Sequence, residues 1–291
     1  MISRRTLLTG SMLAGTALST TRGLAAGWDT ALQSAIATLE HRHGGRLGVA
    51  VLNTYGGKIV SHRGDELFPL CSTFKCLAAA LVLSRVDANQ ENLSRKITYK
   101  KEDVVANSPT TEKHVGAGLT MAEICEAAIT LSDNTAGNLM LDSFGGPAAL
   151  TKYMRSLGDN VTRLDRRETA LNEAVPGDPR DTTSPVAMLE TLRKIVLGNA
   201  LSDGSRDQLT AWLVANKTGG KRLRAGLPEG WKVGDKTGSG DNNTANDVAV
   251  LWPQSRAPVI VTAYYTGSKA GDDERNTVLA DVGRFAAALV T

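Results

Sequence analysis

Residues 231–266, WKVGDKTGSGDNNTANDVAVLWPQSRAPVIVTAYYT, decide the predicted fold. Three segments of this stretch are rich in β-branched and aromatic residues and are joined by short polar turns, as expected for antiparallel strands. These strands are predicted at residues 230–237, 246–252 and 259–266. Near the start of the chain, residues 46–53 and 58–62 flank a Tyr55-Gly56-Gly57 turn and predict a hairpin. Two early and three late strands suggest one sheet built from both ends of the chain.

Helical patterns account for most of the remaining sequence. Residues 28–43 and 273–290 repeat apolar side chains at helical spacing, and we expect these two helices to cover the sheet. Further helices are predicted at residues 72–86, 120–131, 134–143, 147–157, 184–197 and 205–216. The grouping predicts an α+β fold, an α/β sandwich whose five-stranded antiparallel sheet packs against the terminal helices, plus an all-α lobe. A functional site is expected in the cleft between the lobes.

Residues 1–26 are predicted to be an export signal. They contain Arg4, Arg5 and Arg22 but no acidic residue, and they end in a run of small residues at 23–26. The paired arginines are typical of twin-arginine signals. The apolar run is shorter than the roughly 20 residues that span a bilayer. We therefore expect one folded domain at 27–291, with an α/β lobe at about 27–68 and 215–291 and an all-α lobe at about 69–214.

The charge and the metal-ligating residue types exclude several classes of function. The chain has 33 Lys and Arg against 30 Asp and Glu, and without the three arginines of the signal the balance is 30 against 30. Such a body offers no basic patch for nucleic acid or for an anionic membrane. Three cysteines cannot all pair internally, and the four histidines have no companion ligands at zinc spacing. We expect no disulfide and no metal site.

Ser72 and Lys75 are the first candidate catalytic residues. A helix brings a hydroxyl and an amine three residues apart onto the same face. A serine hydroxyl becomes a good nucleophile when a neighbouring base removes its proton, and a desolvated lysine can act as that base. The alternative is an N-cap serine followed by a solvated lysine. The apolar neighbours Phe74 and Leu77 favour a functional lysine.

Two polar triplets and one long loop could complete a site. Ser132-Asp133-Asn134 stands between two predicted helices, where it could project two side chains, although it is also an ordinary helix-stop and helix-start sequence. Lys-Thr-Gly occurs twice. We interpret the copy at 217–219 as a helix C-terminal cap, whereas the copy at 236–238 continues a predicted strand. Residues 160–182 follow neither periodicity, and a loop of this length is expected to be functional or disordered.

These motifs together resemble a known family. Ser72-x-x-Lys75, Ser132-Asp133-Asn134 and Lys236-Thr237-Gly238 resemble the motif set of class A serine β-lactamases and of the related penicillin-binding proteins. Glu168-Thr169-Ala170-Leu171-Asn172 resembles the Ω-loop of class A, here at about 163–181, and favours the β-lactamases. The resemblance covers essentially the whole mature chain. It implies hydrolysis of penicillins and cephalosporins through a serine acyl-enzyme, β-lactam resistance, a periplasmic or secreted monomer and no cofactor.

The resemblance also implies roles for individual residues. Ser72 would attack the lactam carbonyl, and its proton would pass to Lys75 or, through a water molecule, to Glu168. Glu168 and Asn172 would hold the water that hydrolyses the acyl-enzyme. Ser132, with Lys75 and Lys236 nearby, would pass a proton to the lactam nitrogen. The substrate-binding side chains would be Asn134, Thr237, Ser239 and Arg222. The backbone N–H groups of Ser72 and Ser239 would form the oxyanion hole, and Arg166 and Asp181 would pair across the loop.

Some of these roles have alternatives. Arg222 would replace an arginine that many relatives carry on the strand after Lys-Thr-Gly, but it could also be a solvated charge in the basic cluster at 217–224. Thr169 follows Glu168 where the family commonly has a cis-proline. Two other functions share the serine and lysine motifs: a D-alanyl-D-alanine peptidase of the penicillin-binding type, which lacks a deacylating glutamate, and a non-catalytic β-lactam sensor. The peptidase and the sensor would both form long-lived acyl-enzymes with β-lactams.

Overall fold

The computed structural model describes the backbone of residues 17–290 and the side chains of residues 30–290. The paired arginines of the predicted export signal lie outside the described residues. In chain order, the helices are α1 (Ala17–His43), α2 (Phe74–Asp87), α3 (Met121–Thr130), α4 (Asn134–Phe144), α5 (Pro147–Ser156), α6 (Pro185–Leu192), α7 (Asp203–Val214) and α8 (Asp272–Ala288). A π-helical turn, Arg193–Leu197, continues α6 to the predicted end.

Strands form the second set of elements. In chain order they are β1 (Arg46–Asn53), β2 (Ile59–His62), β3 (Phe68–Pro69), β4 (Lys96–Ile97), β5 (Leu119–Thr120), β6 (Thr182–Thr183), β7 (Lys232–Gly240), β8 (Thr244–Trp252) and β9 (Val259–Thr266). The main sheet has the order β2-β1-β9-β8-β7, and all its neighbouring strands are antiparallel. The predicted five-stranded antiparallel sheet is confirmed. The early hairpin joins the late strands because β1 pairs with β9 along its whole length.

The main sheet is buried on both faces. Val49 and Val51 of β1 belong to one hydrophobic cluster, which includes Ile36 of α1 and residues of α8. Ala50 and Leu52 of the same strand belong to a second and larger cluster around α2. Successive side chains of a strand point to opposite faces, so this alternation places the terminal helices on one side and the helical middle on the other. The predicted sandwich of the sheet with both terminal helices is confirmed.

The central helix α2 starts later than predicted. It begins at Phe74, and the 3₁₀ turn Cys71–Thr73 precedes it. The Thr73 N–H donates to the carbonyl of Leu70, three residues back, which is the bond spacing of a 3₁₀ turn. The side chains of 74–80 are all buried. Ser72 therefore lies in a tight turn, and the base of that turn is fixed in the core.

Other helix ends follow local signals in the sequence. The Thr120 hydroxyl accepts a hydrogen bond from the Glu123 N–H, and the Glu123 carboxylate accepts from the Thr120 N–H, which is a capping box at the start of α3. The helix α1 ends at His43 as predicted, but it begins at Ala17, within residues that we assigned to the export signal. No helix among the described residues is long and apolar enough to cross a bilayer.

Candidate active site

The candidate nucleophile Ser72 lies in a strained turn. Its neighbour Cys71 has a φ of 43°, in the left-handed region that non-glycine residues seldom adopt. The Leu70 N–H donates to the carbonyl of Asp181 at 2.8 Å, and the Thr73 hydroxyl donates to the carbonyl of Leu70 at 2.7 Å. These bonds hold the turn on both sides, so the position of the Ser72 hydroxyl is fixed by the fold.

Lys75 connects the nucleophile to the rest of the site. Its side chain is fully buried, so the alternative of a solvated lysine is wrong. The Nζ atom donates to Ser72 Oγ at 2.9 Å and to Asn134 Oδ1 at 2.7 Å, and it lies 2.9 Å from Glu168 Oε1. Burial lowers the pKa of Lys75, and the nearby Glu168 carboxylate opposes this shift. Gly137 of α4 permits this packing, because a Cβ there would lie 2.9 Å from Lys75 Cε.

Ser132 lies between two lysine amines. Lys236 Nζ donates to Ser132 Oγ at 3.1 Å and to the carbonyl of Thr237 at 2.8 Å. Lys75 Nζ lies 3.5 Å from the same hydroxyl and donates to the Ser132 carbonyl at 2.8 Å. Burial and the adjacent charge of Lys75 lower the pKa of Lys236 to about 7. A hydroxyl between two amines of lowered proton affinity is suited to proton transfer.

Glu168 faces the nucleophile. Its Oε1 atom accepts a hydrogen bond from Ser72 Oγ at 3.3 Å, and its Oε2 atom accepts one from Asn172 Nδ2 at 2.5 Å. The Glu168 side chain is fully buried, and the peptide bond to Thr169 is cis. The other amide atom of Asn172, Oδ1, is buried and has no hydrogen-bond partner among the described residues. One acceptor beside the carboxylate is thus free to bind a further donor.

Arg222 reaches the end of the Lys-Thr-Gly strand. Its Nη2 atom donates to Ser239 Oγ at 2.7 Å, and its Nη1 atom donates to the carbonyls of Gly238 at 2.8 Å and Asn246 at 2.7 Å. Its Nε atom donates to Asn276 Oδ1 at 3.0 Å. The alternative of a solvated charge is therefore wrong. A cation held next to Ser239 is suited to bind an anionic group beside this strand.

The two ends of the long loop are joined to each other by an ion pair. Arg166 Nε lies 2.6 Å from Asp181 Oδ2, and Asp181 Oδ1 accepts hydrogen bonds from the N–H groups of Asp165 and Arg166. The Asp181 carbonyl also accepts the N–H of Leu70, beside the nucleophile turn. The structure thus brings together both members of the predicted loop pair. Through Asp181, the loop that carries Glu168 is tied directly to the segment that carries Ser72.

Comparisons with known proteins identify the arrangement. The model of the β-lactamase enzyme family matches residues 31–289. The chain is 50% identical over 255 residues to β-lactamase OXY-1 of Klebsiella oxytoca, with 88% of each chain covered. A β-lactamase of Citrobacter koseri is 46% identical over 283 residues, which cover 97% of this chain and 96% of the relative. The ancestral (GNCA) class A β-lactamase superposes with a TM-score of 0.88 at 63% identity, covering 89% of this chain and 99% of that chain. The chain belongs to the class A serine β-lactamases.

The predicted activity is thereby confirmed. This β-lactamase is a serine hydrolase that acts on β-lactam antibiotics and confers resistance to them. The candidate residues of its site come from five parts of the fold: the turn before α2 with the start of that helix, the loop before α4 with the start of that helix, the 163–181 loop, the segment at Arg222 and β7. Within residues 30–290, no group of three or more His, Cys, Asp or Glu side chains is arranged to hold a metal ion. The three cysteines are buried free thiols.

Two residues of this β-lactamase site were missed from the sequence. Asn138 of α4 donates to the carbonyl of Glu168 and accepts from its N–H, both at 3.0 Å. Thr218 belongs to the Lys-Thr-Gly copy that we interpreted as a helix cap, and this interpretation is wrong because α7 already ends at Val214. Its hydroxyl lies 2.5 Å from that of Thr237. No local signal marks Asn138, whereas the second Lys-Thr-Gly copy was visible but assigned to the helix end.

Proposed function

We propose that this β-lactamase works through a Ser72 acyl-enzyme that Glu168 and Asn172 release with one water molecule. The observation that carries this proposal is the position of the Glu168 carboxylate, 3.3 Å from Ser72 Oγ and hydrogen-bonded to Asn172. The free Oδ1 atom of Asn172 supports it, since that atom can accept a hydrogen bond from the water. A general base must lie within hydrogen-bonding reach of the proton that it takes.

Acylation begins at Ser72. Its oxygen attacks the lactam carbonyl while its proton goes to Lys75, whose Nζ is 2.9 Å away, or to Glu168 through a water molecule. The backbone N–H groups of Ser72 and Ser239 stabilise the oxyanion. As the carbon–nitrogen bond breaks, Ser132 gives its proton to the leaving nitrogen and regains one from Lys75 or Lys236. The hydrogen bond of Lys236 to Ser132 Oγ supports this relay.

Deacylation is the hydrolysis of the Ser72 ester by the bound water molecule. Glu168 takes a proton from the bound water, and the resulting hydroxide attacks the ester carbonyl. When the tetrahedral intermediate collapses, the Ser72 oxygen leaves and regains a proton from Glu168, whose Oε1 is 3.3 Å away, so that the carboxylate is restored. A carboxylate beside the ester therefore distinguishes a hydrolase from a peptidase or a sensor that stays acylated. The hydrogen bonds of Asn138 to the backbone of Glu168 keep this carboxylate in place.

Substrate binding uses the strand β7 and the start of α4. Arg222, Ser239 and Thr237 bind the substrate carboxylate, and the Arg222–Ser239 hydrogen bond of 2.7 Å supports this assignment. Asn134, whose Oδ1 accepts from Lys75, donates to or accepts from the amide side chain of the substrate. The Arg166–Asp181 pair has a structural role, because it closes the loop that carries Glu168.

The proposal extends to location and assembly. Residues 1–26 act as a twin-arginine export signal, and residues 27–291 form the β-lactamase domain with the two lobes predicted above. The mature enzyme is a periplasmic or secreted monomer that binds neither nucleic acid nor a membrane. The even charge balance of residues 27–291 supports the absence of these two partner classes. Fractionation of cells with and without a working twin-arginine pathway tests the export route, and loss of the pathway should retain activity in the cytoplasm.

The proposed mechanism is tested with two active-site variants and one control. After exposure to a penicillin, Glu168→Ala should carry one covalent adduct by mass spectrometry, whereas Ser72→Ala should carry none. Glu229→Ala, which removes an exposed carboxylate outside the site, should hydrolyse the penicillin as the unmodified enzyme does. An adduct in Ser72→Ala would refute the assignment of the nucleophile. A long-lived adduct on the unmodified enzyme would instead support the peptidase or sensor.

A further inference from the structure

Two buried aspartates have no role in the mechanism above: one is on the Lys-Thr-Gly strand and the other is on the neighbouring strand. Asp235 is on β7 and Asp247 is on β8, and both residues are fully buried. Asp247 is paired with Thr237 across the two strands, while Asp235 is paired two residues further along with Ala249. The two aspartates are therefore diagonal neighbours on the same face of the sheet. Diagonal neighbours on one face of a sheet are close enough for their side chains to interact.

The pair holds the segment 222–224 at two points. Asp235 forms an ion pair with Arg224 and accepts a hydrogen bond from Asn216 Nδ2 at 2.6 Å. Asp247 Oδ2 accepts the backbone N–H of Leu223 at 3.1 Å. Leu223 directly follows Arg222 in the chain, so the bond to Asp247 fixes the backbone from which the Arg222 side chain extends toward Ser239.

The contacts also indicate which aspartate carries a proton. Asp235 already has an arginine and an amide donor, which stabilise its ionised form. Asp247 Oδ1 is buried and has no donor among the described residues. An ionised oxygen in that position would be costly, whereas a protonated one can donate to Asp235. Burial and the neighbouring Asp235 carboxylate raise the pKa of Asp247 well above its usual range, and the charge of Arg222 opposes this shift only in part.

We propose that Asp247, as a neutral carboxylic acid hydrogen-bonded to Asp235, is a positioning residue for Arg222. Asp247 acts through the backbone of 222–223 and does not touch the substrate. The inference rests on the proposed role of Arg222 in binding the substrate carboxylate. It assigns the Asp235–Asp247 pair a function in substrate affinity, because Arg222 can bind a carboxylate without rearranging only if its backbone is already fixed.

The test is a double-mutant cycle on Asp247 and Arg222, with benzylpenicillin as substrate. Asp247→Ala should raise KM about tenfold and change kcat less, since removal of a positioning bond weakens carboxylate binding. Asp247→Asn should keep KM within about twofold, because its amide can donate to Asp235 while its oxygen accepts from Leu223. Arg222→Ala combined with Asp247→Ala should have the KM of Arg222→Ala alone, because Asp247 acts through Arg222.

A buried aspartate elsewhere separates positioning from general destabilisation. Asp159 accepts hydrogen bonds from Thr162 N–H and Thr191 Oγ1, so Asp159→Ala should lower Tm and leave KM unchanged. Asp247→Ser replaces Asp247→Ala if the latter does not fold. An unchanged KM in folded Asp247→Ala or Asp247→Ser would overturn the proposal, and so would independent effects of Arg222→Ala and Asp247→Ala. If Asp247→Asn raises KM as much as Asp247→Ala does, the assignment of a neutral carboxylic acid to Asp247 is wrong.

The crystal structure of Asp247→Ala gives a readout that needs no turnover. The proposal expects Arg222 to lose its hydrogen bonds to the carbonyls of Gly238 and Asn246, and an unmoved Arg222 would overturn it. If Arg222→Ala itself leaves KM unchanged, then the proposed carboxylate anchor is wrong. In that case a displaced Arg222 in the crystal would still support the positioning role of Asp247. Failure of the carboxylate-binding role of Arg222 can therefore be distinguished from failure of the positioning role of Asp247.

Discussion

Asn138→Ala tests whether the backbone of Glu168 needs a dedicated support. Asn138 makes two hydrogen bonds of 3.0 Å with the N–H and carbonyl of Glu168, and the Asn138 side chain is buried. Its removal leaves both backbone groups without these partners, at about 1–3 kcal/mol for each buried group. For the two groups together we expect a loss of about 2–6 kcal/mol in the free energy of unfolding. For a domain of this size, at about 2–4 °C per kcal/mol, the loss corresponds to a Tm decrease of about 4–24 °C.

Catalysis should change selectively in the same variant. The side chain of Asn138 hydrogen-bonds to Glu168 and not to Ser72, so deacylation should slow more than acylation. The assay combines thermal unfolding with quench-flow mass spectrometry, which follows the fraction of acyl-enzyme during turnover of a penicillin. Asn160→Ala, which shortens an exposed amide, is the control and should behave as the unmodified enzyme. An unchanged Tm together with an unchanged acyl-enzyme fraction would refute this reasoning.

Three further predictions follow from individual contacts. Arg222→Ala should raise KM for a penicillin by about 10- to 100-fold, which is the equivalent of one charge-assisted hydrogen bond. Lys221→Ala, at the exposed neighbouring residue, should leave KM unchanged. Equal effects of the two substitutions would contradict the role of Arg222 in binding the substrate carboxylate. Because the pKa of Lys236 is about 7, its amine loses its proton as the pH rises through 7 and can no longer return one to Ser132, so kcat/KM should fall above that pH. In Lys236→Arg, which stays charged, this inflection should disappear, and its persistence would exclude Lys236 as the source. Burial alone would raise the pKa of Glu40, but hydrogen bonds from Arg63, the Leu47 N–H and His62 lower it to about 2. A lowered carboxyl pKa stabilises the folded state above pH 4.5, the ordinary value, and the benefit is lost as the pH falls toward 2. Glu40→Gln should therefore lower Tm at pH 7 but not near pH 2, and a constant difference would contradict the pairing.

The sequence predicted the elements of this fold more completely than their junctions. Periodicity placed every strand of the main sheet within a few residues, because alternating and helical apolar patterns reflect which faces are buried. It placed the start of α2 at Ser72, whereas a 3₁₀ turn intervenes. That turn depends on a hydrogen bond to Leu70 and on a left-handed Cys71, and neither leaves a local pattern.

The candidate site also contains residues that a local sequence pattern reveals and residues that it does not. Ser72 and Lys75 could be found because their spacing is a short motif next to an apolar run, and Lys236 because it begins a Lys-Thr-Gly triplet on a predicted strand. Asn138 and Asp247 could not, since each is one polar residue in an otherwise ordinary helix or strand. Their roles depend on partners 30 and 24 residues away, Glu168 and Leu223. Contacts of this range are created by the packing of α4 on the long loop and of β8 on the 222–224 segment, and a single sequence does not reveal them.

The rate of acyl-enzyme release in Glu168→Ala is the most direct test of the central claim. Quench-flow mass spectrometry after mixing with a penicillin gives the rate constants for formation and loss of the Ser72 ester. Loss of the ester should be about 10²- to 10⁴-fold slower than in the unmodified enzyme, which is the usual contribution of a general base. The ester should still form. An ester that is released from Glu168→Ala as fast as from the unmodified enzyme would contradict the account.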